Sequence, residues 1–207
     1  VEYYSATQNL ISNHFPDDLD KITIAYVPFN TGKGIGNREG FYGHRIFAGY
    51  PHLVNQDYIL FLDDDNWWAE NHVQSLVDLC EEKNLNFAYS LRKVYNNGKF
   101  LADDCCEAIG RWPVVWFGNQ FLADTSSYCF DRRWLITACH IWHSGWGGDR
   151  RFFMTVKDHS NYDTTGLHTL NYALPNMDQA YGGDYDIFDR GNEEMLKKFG
   201  GKYPWQK

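Results

Sequence analysis

The chain has 207 residues, of which 43% are hydrophobic and 17% aromatic, and its net charge is −8. This length and composition suit one α/β domain with a full core. The acidic balance argues against a nucleic-acid backbone as the main partner, because proteins that bind one carry basic patches.

Hydropathy and cysteine usage bear on the location of the protein. The sequence has no apolar run of about 18 residues or more, so we expect no segment to span a membrane, although peripheral contact with one stays open. Its five cysteines are an odd number without C-x-x-C spacing, which favours reduced thiols. We therefore predict a cytoplasmic protein.

The predicted elements alternate between helices and strands. In the first half they are a helix over 6–14, a strand over 22–27, a glycine-rich loop over 30–40, a helix over 40–49, a strand over 58–62, a helix over 71–83, a strand over 87–91 and a hairpin turn at 96–98. In the second half they are a loop over 101–124, helices over 132–142 and 149–156, a strand over 164–173 and a short helix over 192–199. This alternation predicts a mostly parallel sheet with helices on both faces.

The most informative stretch is an apolar run that ends at three carboxylates. Residues 58–62 read Y-I-L-F-L, and Asp63, Asp64 and Asp65 follow directly. Adjacent carboxylates repel one another unless a cation neutralises them, and ligands of open α/β sheets bind beyond the carboxyl ends of strands. The pattern therefore predicts Mn²⁺ or Mg²⁺, which prefer carboxylate and phosphate oxygens. The alternative is a solvated turn that caps a helix.

Two other motifs share this acidic pattern only in part. An EF-hand loop needs an oxygen ligand at its fifth position and glycine at its sixth, where this chain has Trp67 and Trp68, so that motif is excluded. A phosphatase of the haloacid dehalogenase type also places D-x-D after an apolar strand. The match ends at Asp65, because Trp67 stands where threonine or valine is expected.

Three segments together resemble a known family. Residues 61–68, F-L-D-D-D-N-W-W, resemble the F-L-D-x-D-D-W-W segment of family 2 glycosyltransferases, which have the GT-A fold. Residues 30–40 are similar to that family's N-x-G-x-x-x-A-R-N-x-G, with a slightly longer loop, and residues 146–149, W-G-G-D, look like its G-G-E-D element. The resemblance implies a single N-terminally truncated GT-A domain over 1–207. It would lack the usual first strand–helix unit and have a nucleotide-diphosphate and metal part over 1–100 and an acceptor part and tail over 101–207.

The resemblance also implies an activity and a donor site. A sugar would pass from a nucleotide-diphosphate sugar to a hydroxyl of a glycan or lipid-linked saccharide, with inversion and with the help of a metal. Asp65 and Asp63 would hold the metal, and His168 would complete its shell or else be a structural or solvent-facing residue. Arg38, Asp63, Asp64 and Asp65 would bind the donor.

The acceptor side is predicted from one acid and three tryptophans. Asp149 would be the general base that takes the acceptor's hydroxyl proton, or else the N-cap of the following helix. Trp146, Trp68 and Trp112 would offer aromatic faces to the acceptor sugar, or else belong to the core. Two other functions stay open. One is a non-catalytic carbohydrate- or nucleotide-binding relative, and the other is a sugar nucleotidyltransferase, whose glycine-rich signature residues 30–40 match poorly.

Overall fold

The computed structural model describes residues 2–25, 27, 30–32, 40–114, 120–145, 147–174, 182–184 and 186–206. Within these ranges the helices are α1 (Glu2–His14), α2 (His44–Gly49), α3 (His72–Lys83), α4 (Arg132–Ala138), α5 (Gly148–Val156) and α6 (Ile187–Lys198). The strands are β1 (Tyr58–Ile59), β2 (Trp67–Trp68), β3 (Phe87–Asn96), β4 (Lys99–Asp103), β5 (Tyr128–Asp131) and β6 (Tyr162–Leu174). The chain therefore forms an α/β fold, as predicted.

The strands of the described chain form one sheet with β3 at its centre. The order is β1-β5-β3-β6-β2. β4 lies outside this order and pairs with the C-terminal part of β3. β3 and β6 are parallel over most of their length, whereas the other four pairings among the described residues are antiparallel. The predicted parallel arrangement thus holds for the central pair.

One of the antiparallel pairings has a local cause. The continuous apolar run at residues 58–62 indicates burial on both faces of a strand, but it does not set the direction of pairing. β3 and β4 are antiparallel because a two-residue turn joins them. Asn97 and Gly98 of that turn have φ of 47° and 76°, as the tightest hairpins require. The predicted turn at 96–98 is thereby confirmed.

Side chains of the central strands point alternately to the two faces of the sheet, as the strand period of two requires. On one face, Ala88 of β3 and Cys129 of β5 pack against Leu76 and Cys80 of α3. The opposite face carries a larger core that includes α4 and α5. Its largest fully buried side chains are Phe87, Tyr89, Tyr128, Phe130, Trp142, Phe152, Phe153 and Phe188. Helices therefore cover both faces, as predicted.

One predicted strand does not form within the part of the chain that the structure describes. None of the described residues in the predicted strand over 22–27 joins the sheet. β-branched residues favour a strand, but the backbone groups of a strand also need a partner edge. This segment instead lines an apolar cavity together with Ile46 of α2 and Ile11 of α1.

His72 is a buried histidine at the start of α3. It is 0% exposed, its ring stacks on Trp68 with centroids 4.9 Å apart, and its Nδ1 lies 2.8 Å from Thr169 Oγ1. Burial lowers the pKa of His72 to about 4, and the contact with Thr169 opposes that shift only in part. The folded protein therefore keeps this ring neutral under conditions that protonate an exposed histidine.

We expect acid to destabilise the fold through His72. The ring of the unfolded chain takes up a proton near pH 6.5, whereas the folded chain resists protonation down to about pH 4. The free energy of unfolding should therefore fall as the pH drops through this window, by up to about 3 kcal/mol. Urea unfolding between pH 7 and pH 4 measures the effect in the wild type and in His72→Gln, whose side chain does not titrate. Parallel pH curves for the two proteins would contradict the prediction.

Candidate active site

Two of the predicted acids line one cleft. Asp63 follows β1, and Asp149 lies in the first turn of α5, yet both border the same cleft of about 390 Å³. The other walls come from α2, β3, β6 and the segment before β5. Their lining residues include Tyr42, His44, Phe47, Arg92, Glu107, Asp124, Arg150 and Tyr172. The fold thus places one predicted donor residue, Asp63, and the predicted base, Asp149, around one space.

Asp63 has a strongly perturbed carboxyl group. Burial and the negative charges of Asp124 and Asp65 raise the pKa of Asp63 to about 6, against a hydrogen bond from Ser126 that favours the charged form. A carboxyl group held among other carboxylates gains most from a cation at its side. The electrostatics of the cleft therefore favour a positively charged ligand next to Asp63.

The acidic turn, which comprises residues 63–66, has the carboxylate oxygen atoms that a hard divalent cation prefers. Asp63 borders the cleft, and Asp64 and Asp65 are exposed beside it. Among the described residues, no three His, Cys, Asp or Glu side chains converge as a ready cluster. Mg²⁺ commonly takes only one or two carboxylates and completes its shell with water and phosphate oxygens. The turn therefore fits an ion that is bound jointly by protein and ligand.

Two glycines set the position of Asp149. Gly147 is the N-cap of α5 and has φ of 76°, in the left-handed region that favours glycine. A Cβ on Gly148 would lie 2.5 Å from Cε1 of His44, so a side chain there would push α5 away from α2. The N-cap role belongs to Gly147 rather than to Asp149, whose Oδ1 accepts a hydrogen bond of 2.7 Å from the backbone N–H of Arg150.

A buried arginine forms the floor of the cleft. Arg92 of β3 is 5% exposed at its side chain and pairs with Asp104 at 2.7 Å, with Glu107 at 2.5 Å and with Asp124 at 2.8 Å. Its guanidinium carbon lies 4.2 Å from the ring centroid of Tyr172. Sequence analysis missed this cluster. The available signal was a charged residue directly after the predicted strand over 87–91, because a buried charge needs partners.

Trp68 and Trp112, two of the tryptophans predicted to face the acceptor, make contacts within the fold instead. Trp68 donates a hydrogen bond of 2.8 Å from Nε1 to the carbonyl of Ser126, so its polar atom is used within the fold. Trp112 contacts Trp205 with ring centroids 4.8 Å apart and lines a different cavity. The structure therefore does not bring Trp68 or Trp112 into the lining of the cleft that Asp63 and Asp149 share.

The other predicted residues are also not brought to the cleft by the described structure. His168 lies beside Cys105, with 3.7 Å between Nε2 and Sγ, in a third cavity. It is placed there because it lies in the middle of β6, whereas the cleft is lined by Tyr172 farther along that strand. Arg38 and Trp146 lie outside the described residues, so their roles stay predictions.

Comparison with known families decides the classification. The sequence model of glycosyl transferase family 2 matches residues 5–131, which is more than half of the chain. The chain belongs to glycosyl transferase family 2. A comparison with curated proteins gives no match.

Solved structures agree with this family 2 assignment at the level of fold. The crystal structure of S. aureus TarS 1–349 with UDP-GlcNAc aligns with a TM-score of 0.54 and 12% identity over 91% of this chain and 54% of the TarS chain. The structure with UDP aligns with a TM-score of 0.55 and 10% identity over 96% and 60% of the two chains. The family 2 chain thus has the predicted GT-A fold and spans little more than half of the TarS chain. Every helix in its described ranges is too short or too polar to cross a membrane.

Proposed function

We propose that this family 2 domain is a metal-dependent, inverting glycosyltransferase. It transfers a sugar from a uridine-diphosphate sugar to a hydroxyl group of a saccharide or lipid-linked acceptor. The observation that carries the proposal is the meeting of Asp63 and Asp149 at one cleft. UDP is chosen as the nucleotide because both TarS structures contain it or its N-acetylglucosamine derivative.

The charges around the cleft support the metal requirement. Its described lining holds four carboxylates, Asp63, Glu107, Asp124 and Asp149, against the two guanidinium groups of Arg92 and Arg150. A diphosphate carries negative charge into this acidic surface, so its binding needs a cation between the diphosphate and the carboxylates. Asp63, with Asp65 beside it, would hold Mn²⁺ or Mg²⁺, which neutralises the charge of the departing diphosphate.

Asp149 supplies the base for the transfer. Its carboxylate takes the proton of the acceptor hydroxyl while the hydroxyl oxygen forms a bond to the anomeric carbon. The bond between that carbon and the diphosphate oxygen breaks on the opposite face, so the nucleoside diphosphate leaves and the configuration inverts. Trp146, next to the glycines that precede Asp149 in the sequence, stays our proposal for the aromatic platform of the acceptor. The cytoplasmic location likewise stays a prediction.

Ligand-induced thermal stabilisation tests the donor and the metal together. We expect UDP and UDP-GlcNAc to raise the melting temperature in the presence of Mn²⁺ and not in its absence, because a ligand at 100 times its Kd stabilises the fold by about 2.7 kcal/mol. Asp63→Asn should lose this shift, whereas Glu70→Gln, which changes an exposed acid just beyond the turn, should keep it. The same shift with and without metal would contradict the metal role.

Turnover separates the enzyme from the non-catalytic alternative. We expect the wild-type chain to release UDP slowly from a UDP-sugar in the presence of Mn²⁺, with water as the acceptor. Binding of UDP-sugars without any release of UDP would favour a non-catalytic binding relative. No stabilisation by UDP-, GDP- or dTDP-sugars, with or without metal, would contradict the proposed function altogether.

A further inference from the structure

Ser126 holds Asp63 and Asn66 of the acidic turn, and also Trp68, which follows the turn in β2. Ser126 is fully buried, and its Oγ accepts hydrogen bonds from the backbone N–H of Asp63 at 3.1 Å and from Nδ2 of Asn66 at 3.3 Å. The same Oγ donates to Oδ2 of Asp63 at 3.3 Å, and the Ser126 carbonyl accepts from Nε1 of Trp68. A hydroxyl has one donor and two acceptor positions. The turn therefore uses the whole hydrogen-bonding capacity of this hydroxyl.

The serine is itself fixed to the floor of the cleft. Asp124 accepts a hydrogen bond of 3.0 Å from the Ser126 backbone N–H at Oδ1 and one of 2.8 Å from Arg92 at Oδ2. Asn66 is also bound on its other side, where its Oδ1 accepts a hydrogen bond of 2.9 Å from the backbone N–H of Ala173 in β6. A continuous chain of hydrogen bonds thus runs from buried Arg92 through Asp124 and Ser126 to Asp63.

These contacts fix the backbone and the side chain of Asp63 together. Its N–H and its carboxylate are bound to one buried atom, so neither can turn without breaking a hydrogen bond to the Ser126 hydroxyl. A metal-binding carboxylate works best when it is held in one orientation by such a partner. Folding alone does not require the contact with the carboxylate, because an aspartate at the edge of a cleft can be hydrated.

We propose that Ser126 is a positioning residue of the donor site, whose hydroxyl sets the orientation in which the Asp63 carboxylate meets the metal and diphosphate. The inference rests on the proposed function, because it assigns a support to the same site. Removal of a group that orients a metal-binding carboxylate typically weakens metal affinity roughly 10- to 100-fold.

Ser126→Ala tests the proposal against Ser127→Ala as a matched control. Ser127 is also buried and donates from Oγ to the carbonyl of Asp124 at 2.7 Å, so each variant loses one buried hydroxyl and only one loses the contact with Asp63. Calorimetric titration of UDP in the presence of Mn²⁺ measures the effect. We expect the Kd to rise about 10- to 100-fold in Ser126→Ala, to stay near the wild-type value in Ser127→Ala, and to recover in Ser126→Thr.

The outcomes distinguish this inference from the proposed function. Wild-type affinity for UDP in folded Ser126→Ala would overturn the positioning role and leave the proposed function standing. Failure of the wild-type chain to bind UDP with Mn²⁺ would overturn both. Should Ser126→Ala not fold, Ser126→Cys makes the same comparison, because a thiol keeps the volume and is only a weak hydrogen-bonding group. Unchanged affinity in that variant would equally overturn the role of the hydroxyl.

Discussion

Replacing Arg92 with methionine is expected to lower the free energy of unfolding by about 3–5 kcal/mol. Arg92 pairs with three buried carboxylates, those of Asp104, Glu107 and Asp124. Burial alone would raise the pKa of Asp104, but Arg92 and three backbone N–H groups keep it below its usual value. Methionine preserves most of the arginine's volume but removes its charge and its hydrogen-bond donors. Asp104 and Asp124 would then be left buried without their cationic partner, and Glu107 would keep Arg150 at 3.7 Å.

The pH dependence of this loss identifies its electrostatic origin. Without Arg92, the buried carboxylates are expected to have pKa values above those of the unfolded chain, so the variant is most stable when they are protonated and loses stability as the pH rises. The difference between the two proteins should therefore be largest near neutral pH and should narrow toward pH 4. A difference that does not depend on pH would assign the effect to packing instead.

Urea unfolding of Arg92→Met and of a matched control measures the size of the effect. Arg133→Met makes the same chemical change at a side chain that is 84% exposed and pairs with Asp131 at 2.8 Å. We expect no measurable change there, because exposed ion pairs contribute little. Wild-type stability in Arg92→Met would show that the floor of the cleft does not depend on its arginine.

Short sequence patterns correctly predicted those elements that are stabilised by contacts between residues close in sequence. Helix α3 follows from the spacing of Leu76 and Cys80, and the β3–β4 hairpin follows from Asn97 and Gly98. The glycines that precede Asp149 placed it at a helix start, where the structure has it. In each case a short stretch of chain contains most of the information, because a helix or a tight turn is stabilised by contacts a few residues apart.

The parts that sequence reasoning missed depend on distant contacts. Ser126 lies 63 positions from Asp63, and no local pattern marks its hydroxyl as the partner of the acidic turn. The strand directions and the place of His168 depend on which strands become neighbours, which the apolar pattern does not encode. Arg92 could have been noticed as a charge directly after a predicted strand, but its three partners lie in a segment that was predicted only as a loop.

Asp149→Asn is expected to reduce the rate of UDP release about 10²- to 10⁴-fold, with the Kd for UDP unchanged. An amide cannot take the proton of the attacking hydroxyl or water. It can still accept the hydrogen bond that Asp149 now receives from the Arg150 N–H, so the local backbone should be preserved. Loss of the negative charge from the first turn of α5 should lower stability by only about 0.3–1 kcal/mol.

Single-turnover release of UDP from a UDP-sugar with Mn²⁺ measures the rate apart from binding. Asp158→Asn is the matched control, because Asp158 lies just beyond the end of α5, is 66% exposed at its side chain and pairs only with neighbouring Lys157 among its described ion pairs. It should release UDP at the wild-type rate, and Asp149→Glu should recover part of the activity because it restores a carboxylate. If Asp149→Asn instead weakened UDP binding and left the rate at saturation intact, Asp149 would bind the donor and the base would have to be another group in the cleft. Since the other carboxylates of the described lining are bound to Arg92 or Ser126, Asp149 is the one whose side chain is best placed to change partner during a reaction.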